Sequence, residues 1–303
     1  MPLRSAFVVS VPASSANLGP GFDCVGIALD LRARAMVEPA DRFAIEFGGP
    51  ERPTHPGFER MLIAAMRSVN MTLPRIRVQL VNAIPLGKGL GSSAAARALG
   101  VTIAARAHGM QLDRDAIAHR VCELEGHPDN ALPAVYGGIA IAASSRESIK
   151  LAAPSDLRAI VVVPDFELAT KAARALLPLQ YEKADVVFNL QRVALLGAAL
   201  ASGNWNALRD AMRDRFHQPQ RAAVVPGLAA ALALDAPEII GIALSGAGPS
   251  VLALIRDRVA WRPLAARIEA CFAAAGIASR SYRLPFAPRG LVSRRYLTER
   301  KAA

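Results

Sequence analysis

Cysteine, aromatic residues and long uncharged apolar runs are all scarce in this chain of 303 residues. Its three cysteines, Cys24, Cys122 and Cys271, are odd in number and widely separated. That spacing argues against a disulfide framework and against a zinc site with short ligand spacing, and it points to a reducing compartment. The first apolar run, Ala6 to Val11, is ended by Pro12 and has no basic leader or cleavage site, so no secretory segment is expected there. No run reads as approaching the length that spans a bilayer. A cytoplasmic protein without a membrane partner is the expectation.

Blocks of basic charge are missing too. The 36 basic and 25 acidic residues leave a net charge of +11, with arginine far outnumbering lysine. They are scattered, apart from short pairs such as Arg294 and Arg295, and no aromatic residues interleave with them for base stacking. No nucleic-acid partner is expected. What the chain does have is 52% hydrophobic residues against 20% charged, a balance that excludes disorder. Much of the apolar content is alanine, which favours helices packed closely against sheets. The length suits two domains and a sizeable core without disulfides or structural metal.

Strands are predicted at Ala6 to Val11, Val25 to Leu29, Ala35 to Val37 and Ile76 to Val81, between Gly/Pro turns. A proline-free, alanine-rich helix is predicted from Ser92 to Ala107, and a second from about Asp113 to Glu125. The loop containing Pro154, Ser155 and Asp156 marks a domain boundary, giving domains 1–155 and 156–303. Beyond it the pattern predicts strands at Ala159 to Val163, Ile239 to Leu244 and Ser250 to Ile255. Helices are predicted near Leu168 to Leu176, Ala184 to Ala201, Trp205 to Arg213 and Ala260 to Ala275. This is an α+β chain.

The most informative stretch is Pro85, Leu86, Gly87, Lys88, Gly89, Leu90, Gly91, Ser92, Ser93, Ala94 and Ala95. Glycines let backbone N–H groups surround an anion, and the helix that follows offers unpaired N–H groups and a positive dipole end. It is neither a Walker A loop nor a dinucleotide fingerprint. Taken alone, it reads more readily as a flexible left-handed turn capped by Ser92.

That stretch resembles the ATP-binding signature of the GHMP superfamily of small-molecule kinases. Two further segments resemble the other superfamily motifs: Val11 to Asp30, in its homoserine kinase form, and Leu244 to Val251, which contains Ser245, Gly246 and Gly248. The three motifs run in family order and cover essentially the whole chain. The resemblance implies a ribosomal S5 domain 2-like N-terminal domain and a ferredoxin-like C-terminal domain. It also implies ATP and Mg2+ as cofactors and L-homoserine as the acceptor in threonine biosynthesis, and it fits a homodimer. Threonine or a mevalonate-like alcohol as substrate, or a non-catalytic sensor on the same fold, are the alternatives.

The resemblance also assigns residues. Arg174 and Arg221 match the pair that grips the substrate carboxylate, a task suited to the planar guanidinium fork. Asp23 matches the acceptor of the substrate ammonium, with Asn17 in the same loop. The alternative for both is an Asx role in the Gly19-Pro20-Gly21 turn. In Cys122 to Asn130, placed between the domains, Asn130 is assigned to the substrate hydroxyl and His127 to the same site or to loop packing. Asn130 cannot act as a base, which implies catalysis by positioning and electrostatics. Ser93 and Glu123 are assigned to magnesium. Glu123 and Glu125 point in different directions on a helix, so one of them should reach the metal, and Glu123 is the expected one. Lys88 is assigned to the phosphates or to a solvated surface.

Overall fold

The computed structural model describes residues 3, 5–48 and 56–296. The first part runs β1 (Phe7–Asn17), β2 (Gly21–Pro39), β3 (Ala44–Phe47), α1 (Gly57–Val69), β4 (Ile76–Asn82), α2 (Ser92–Ala107), α3 (Arg114–Glu125), α4 (Pro128–Tyr136), β5 (Ile139–Ala142) and β6 (Ser148–Leu151). The second runs β7 (Leu157–Pro164), α5 (Thr170–Ala175), α6 (Lys183–Ser202), α7 (Leu208–Ala211), α8 (Gln218–Ala222), α9 (Leu228–Leu232), β8 (Ile239–Leu244), β9 (Val251–Arg256), α10 (Trp261–Ala273), β10 (Ser279–Pro285) and β11 (Val292–Arg295).

The two strands predicted at Val25 to Leu29 and Ala35 to Val37 are one 19-residue strand, β2. It is long because its two halves have different partners along one edge. Val25–Ile27 pair with β5 and Ala33–Pro39 with β4, while β1 follows most of the other edge. β1 and β2 belong to a seven-stranded sheet, and β10-β7-β9-β8 form a separate antiparallel sheet of four. The order of that second sheet and the helices between its strands give the split βαββαβ arrangement expected for the C-terminal part. Its last strand behaves differently: β11 pairs with β1. The chain therefore crosses back into the first sheet, and a single cut at residue 155 does not separate the two sheets.

α2 matches the predicted bounds, and twelve of its residues are buried, so it is enclosed by the fold rather than laid on its surface. Its small residues allow this. A Cβ on Gly100 would come within 2.4 Å of the Leu62 carbonyl oxygen in α1, so these two helices touch backbone to side-chain-free backbone. The expectation that no run reaches membrane-spanning length is corrected by α6, which has 20 residues and is long and apolar enough to cross a bilayer by length and composition. Its Leu196, Ala199 and Leu200 instead enter the main hydrophobic core. The segment Cys122 to Asn130, expected between the domains, is the tight junction of α3 and α4, turned by Gly126 in the left-handed region.

Candidate active site

Chain segments far apart in sequence converge as three walls on one cavity of about 390 Å³. Its first wall is made of backbone. Gly87, Gly89 and Gly91 have φ of +66°, +75° and +66°, in the region that favours glycine. A Cβ on Gly89 would lie 2.1 Å from the Ser245 carbonyl oxygen, and one on Gly91 would lie 1.9 Å from Ser14 Oγ. The loop is thus seated directly on the turn after β8. The Ser245 hydroxyl donates to the Gly89 carbonyl at 2.7 Å, and Gly246 N–H donates to the Ala16 carbonyl at 3.0 Å. Next to this seam α2 begins, with Gly91 as its cap and no acidic residue in its first turn. An uncompensated helix N-terminus flanked by glycine backbone suits an anion.

The second wall is charged. Asn17, Leu18 and Asp23 all have positive φ, an uncommon run for residues other than glycine. Asn17 fastens this turn: its amide donates to the Gly246 carbonyl at 2.9 Å, and its Oδ1 accepts from Asp23 N–H at 3.1 Å. Asp23 meets Arg174 in a two-pronged pair, Nη1 to Oδ2 at 2.8 Å and Nη2 to Oδ1 at 2.6 Å. That hydrogen bond, before any other influence, raises the Arg174 pKa. Arg221 is only 1% exposed and donates to the Gly246 carbonyl at 3.0 Å. Burial, followed by the neighbouring Arg174 charge, lowers its pKa to about 10.

Arg221 also donates to His217 Nδ1 at 3.0 Å, while His217 Nε2 lies 2.8 Å from the Gly19 carbonyl oxygen. An arginine can only donate and a carbonyl can only accept, so the ring is the neutral Nε2–H tautomer. Burial holds its pKa down at about 4 despite the nearby Asp214. The Phe22 ring serves as a shared platform, with the guanidinium carbons of Arg174 and Arg221 at 5.3 and 5.5 Å from its centroid.

The third wall is the α3–α4 junction. Its close approach to β2 is permitted by Gly26, where a Cβ would come within 1.7 Å of the Asp129 carbonyl oxygen. Asn130 Oδ1 accepts from the Ser14 hydroxyl at 2.8 Å, and Asn130 Nδ2 lies 3.4 Å from Asp129 Oδ1. His127 Nδ1 contacts Asp129. Burial opposes the charged imidazole, but Asp129, Glu125 and Asp23 together raise its pKa. Asp23, His127 and Asp129 offer ligand atoms within 4.8 Å of one another, and the Arg174 charge offsets this acidic cluster.

Most of the assigned residues line the cavity: Asn17, Asp23, Leu86, Gly87, Gly89, Leu90, Gly91, Ser92, Ser93, His127, Asn130, Arg174, Arg221, Gly246 and Gly248. The other assignments are corrected. Glu123 is half-exposed and pairs with His119 at 3.3 Å and Arg120 at 3.1 Å, one turn back on the outer face of α3. Glu125, two residues on and rotated to the opposite side, is the carboxylate beside Ser93, accepting from its hydroxyl at 3.0 Å and also contacting Arg97. Lys88 is neither in the cavity lining nor solvated, because its ammonium donates to the Pro164 and Phe166 carbonyls at 3.1 and 2.9 Å. Ala94 and Ala95 are fully buried in the core, and Ala95 N–H is already spent on the Gly91 carbonyl. Pro85 lies outside the cavity lining, and Ser245 is a buried fastener of the loop seam.

The Ser93 hydroxyl and the buried Glu125 carboxylate form an oxygen donor set of the kind magnesium prefers, next to the anion-binding helix end. Cys24 and Cys122 are free, and burial, followed by Asp129, raises their thiol pKa to about 11 and about 12. Neither is a nucleophile near neutral pH. Sequence reasoning missed Phe22, Ser14, Asp129 and His217. Phe22 and Asp129 are immediate neighbours of residues it had singled out, but nothing in a linear pattern shows a ring lying beneath two distant arginines.

Comparison with known proteins gives the same picture. The GHMP kinases N terminal domain profile matches residues 58–138, and the GHMP kinases C terminal profile matches residues 196–274. The homoserine kinase of Solibacter usitatus is 44% identical over 259 residues, covering 82% of this chain and 85% of its own. The homoserine kinase of Desulfitobacterium hafniense is 39% identical over 286 residues, covering 91% and 96%. The crystal structure of homoserine kinase from Cytophaga hutchinsonii superposes with a TM-score of 0.79 at 28% identity, covering 97% of this chain and 99% of its own. Lactococcus lactis galactokinase complexed with galactose shares the fold, with a TM-score of 0.66 at 10% identity over 96% of this chain and 95% of its own. The chain belongs to the homoserine kinase family of the GHMP kinases.

Proposed function

We propose that this protein transfers the γ-phosphoryl group of ATP to the side-chain hydroxyl of L-homoserine, forming O-phospho-L-homoserine in threonine biosynthesis. One observation carries the reading. A glycine-lined helix N-terminus suited to phosphates faces two guanidinium groups and a carboxylate suited to an amino acid, with Asn130 between them.

In this reading Arg174 and Arg221 hold the substrate carboxylate, Asp23 takes the ammonium, and Asn130 orients the hydroxyl through its Nδ2 group. Asn130 has no basic atom, so it would supply position rather than take the proton. The proton leaves late, to solvent or phosphate. Backbone amides around Gly87, Gly89 and Gly91 would cradle the phosphates, and Ser93 with Glu125 would hold the metal. Magnesium, when bound, neutralises phosphate-oxygen charge. A homodimer and a cytoplasmic location belong to the same reading, and sedimentation tests the first.

The test is ADP release from purified protein with homoserine, threonine, mevalonate or no acceptor. Strong turnover with homoserine alone is expected. Equal rates with mevalonate, which has no ammonium for Asp23, would remove the amino-acid reading.

A further inference from the structure

We propose that Asp23 and Arg174 form a charge-exchange pair, selecting a ligand whose ammonium and carboxylate sit on one carbon because each ligand charge displaces one member of the pair. This inference rests on the homoserine reading above and concerns how that site rejects near-substrates.

The pair joins side chains 151 positions apart in the chain and is only partly buried, with 38% and 34% of the Arg174 and Asp23 side chains exposed. Such a pair is cheap to open. Opening it halfway is not. If a ligand ammonium alone takes Asp23, Arg174 is left facing Arg221. Both guanidinium groups lie within about 5.5 Å of the Phe22 ring centre, and Arg174 already depresses the Arg221 pKa. Arg221 has no carboxylate ion-pair partner of its own among the described residues, and its bonded acceptors are the Gly246 and Ala173 carbonyls and the His217 ring.

The converse exchange fails for the mirror reason. If a ligand carboxylate alone takes Arg174, Asp23 is left in the cluster with Asp129, whose own partner is His127. The Asp23 backbone is held at φ +58° with its N–H bonded to Asn17, so relief would need a change of side-chain rotamer. Each half-exchange strands two like charges in a confined site, whereas a zwitterion replaces both partners at once. Rejection of the wrong ligand thus comes from the unpaired charge it leaves behind, not from its shape.

Calorimetric titration with homoserine and with two single-charge relatives tests this. One is 2-amino-1,4-butanediol, which lacks the carboxylate; the other is 4-hydroxybutanoate, which lacks the ammonium. The unaltered protein should bind both at least about 100-fold more weakly than homoserine. Arg174→Leu should bind homoserine about tenfold more weakly, yet bind the amino diol at least about threefold more tightly than the unaltered protein does. Asp23→Asn should show the mirror gain for 4-hydroxybutanoate. A merely structural role for the pair predicts losses throughout.

Urea unfolding establishes which variants are folded, and either one alone decides the question. A folded variant whose matching single-charge ligand fails to gain affinity overturns the exchange. If the unaltered protein does not bind homoserine at all, the functional reading falls and takes the inference with it. If it prefers homoserine and the gains are absent, only the exchange falls.

Discussion

The two principal walls of the cavity are built on opposite plans. On the glycine-loop side, backbone meets backbone, and the close approach of Gly89 to Ser245 leaves no room for even one methyl group. On the charged side, side chains from β2, α5 and α8 meet around Phe22 and are supported by buried polar groups. The first wall should therefore be intolerant of added volume. The second should be intolerant of unbalanced charge.

Four experiments sharpen that contrast. Gly89→Ala should destabilise the protein by ~4 kcal/mol, the sum of left-handed strain and a backbone clash. At Gly87, which shares the backbone conformation but has nothing within 4 Å, the same change should cost only ~1 kcal/mol. Urea unfolding measures both, and equal losses would erase the distinction. Arg221→Leu should raise the KM for homoserine roughly a hundredfold, about 3 kcal/mol, with little change in ATP affinity. An unchanged KM would take Arg221 out of the substrate wall.

His217 gives a prediction in pH. Its folded pKa of about 4 lies below the ordinary 6.5, so the unfolded chain binds the proton more tightly. The associated stability is complete above 6.5 and is lost as pH falls toward 4, by up to ~3 kcal/mol. The difference in urea midpoint between the unaltered protein and His217→Gln should therefore shrink across that window, and a constant difference would contradict it. The smallest effect separates two glutamates. Glu125→Gln should lower turnover and weaken magnesium dependence by roughly tenfold to a hundredfold, ~2 kcal/mol, while Glu123→Gln should leave both near normal. A reversed order would restore Glu123 to the metal.

Legibility followed the same division. The phosphate loop could be read because its chemistry is local: glycines, a helix start and their spacing are contiguous, and α2 begins and ends at the predicted residues. The choice of Glu123 failed because both glutamates fit the linear pattern, and helix rotation alone turns one toward His119 and Arg120 and the other toward Ser93. Lys88 failed for a related reason, since its partners are carbonyls of Pro164 and Phe166, nearly eighty positions on.

By itself, the sequence determined part of the elements, α2 above all, and the chemistry available to them. Turn glycines, alanine-rich helical runs and alternating apolar strands depend on interactions between near neighbours, and those are present in the linear order. Only the tertiary structure decided which charges face one another: that Asp23 finds Arg174, that Arg221 rests on a neutral His217, and that β11 returns to the first sheet. Electrostatic and steric energies depend on distance in space. Between positions 151 apart along the chain, that distance exists only once the backbone has folded.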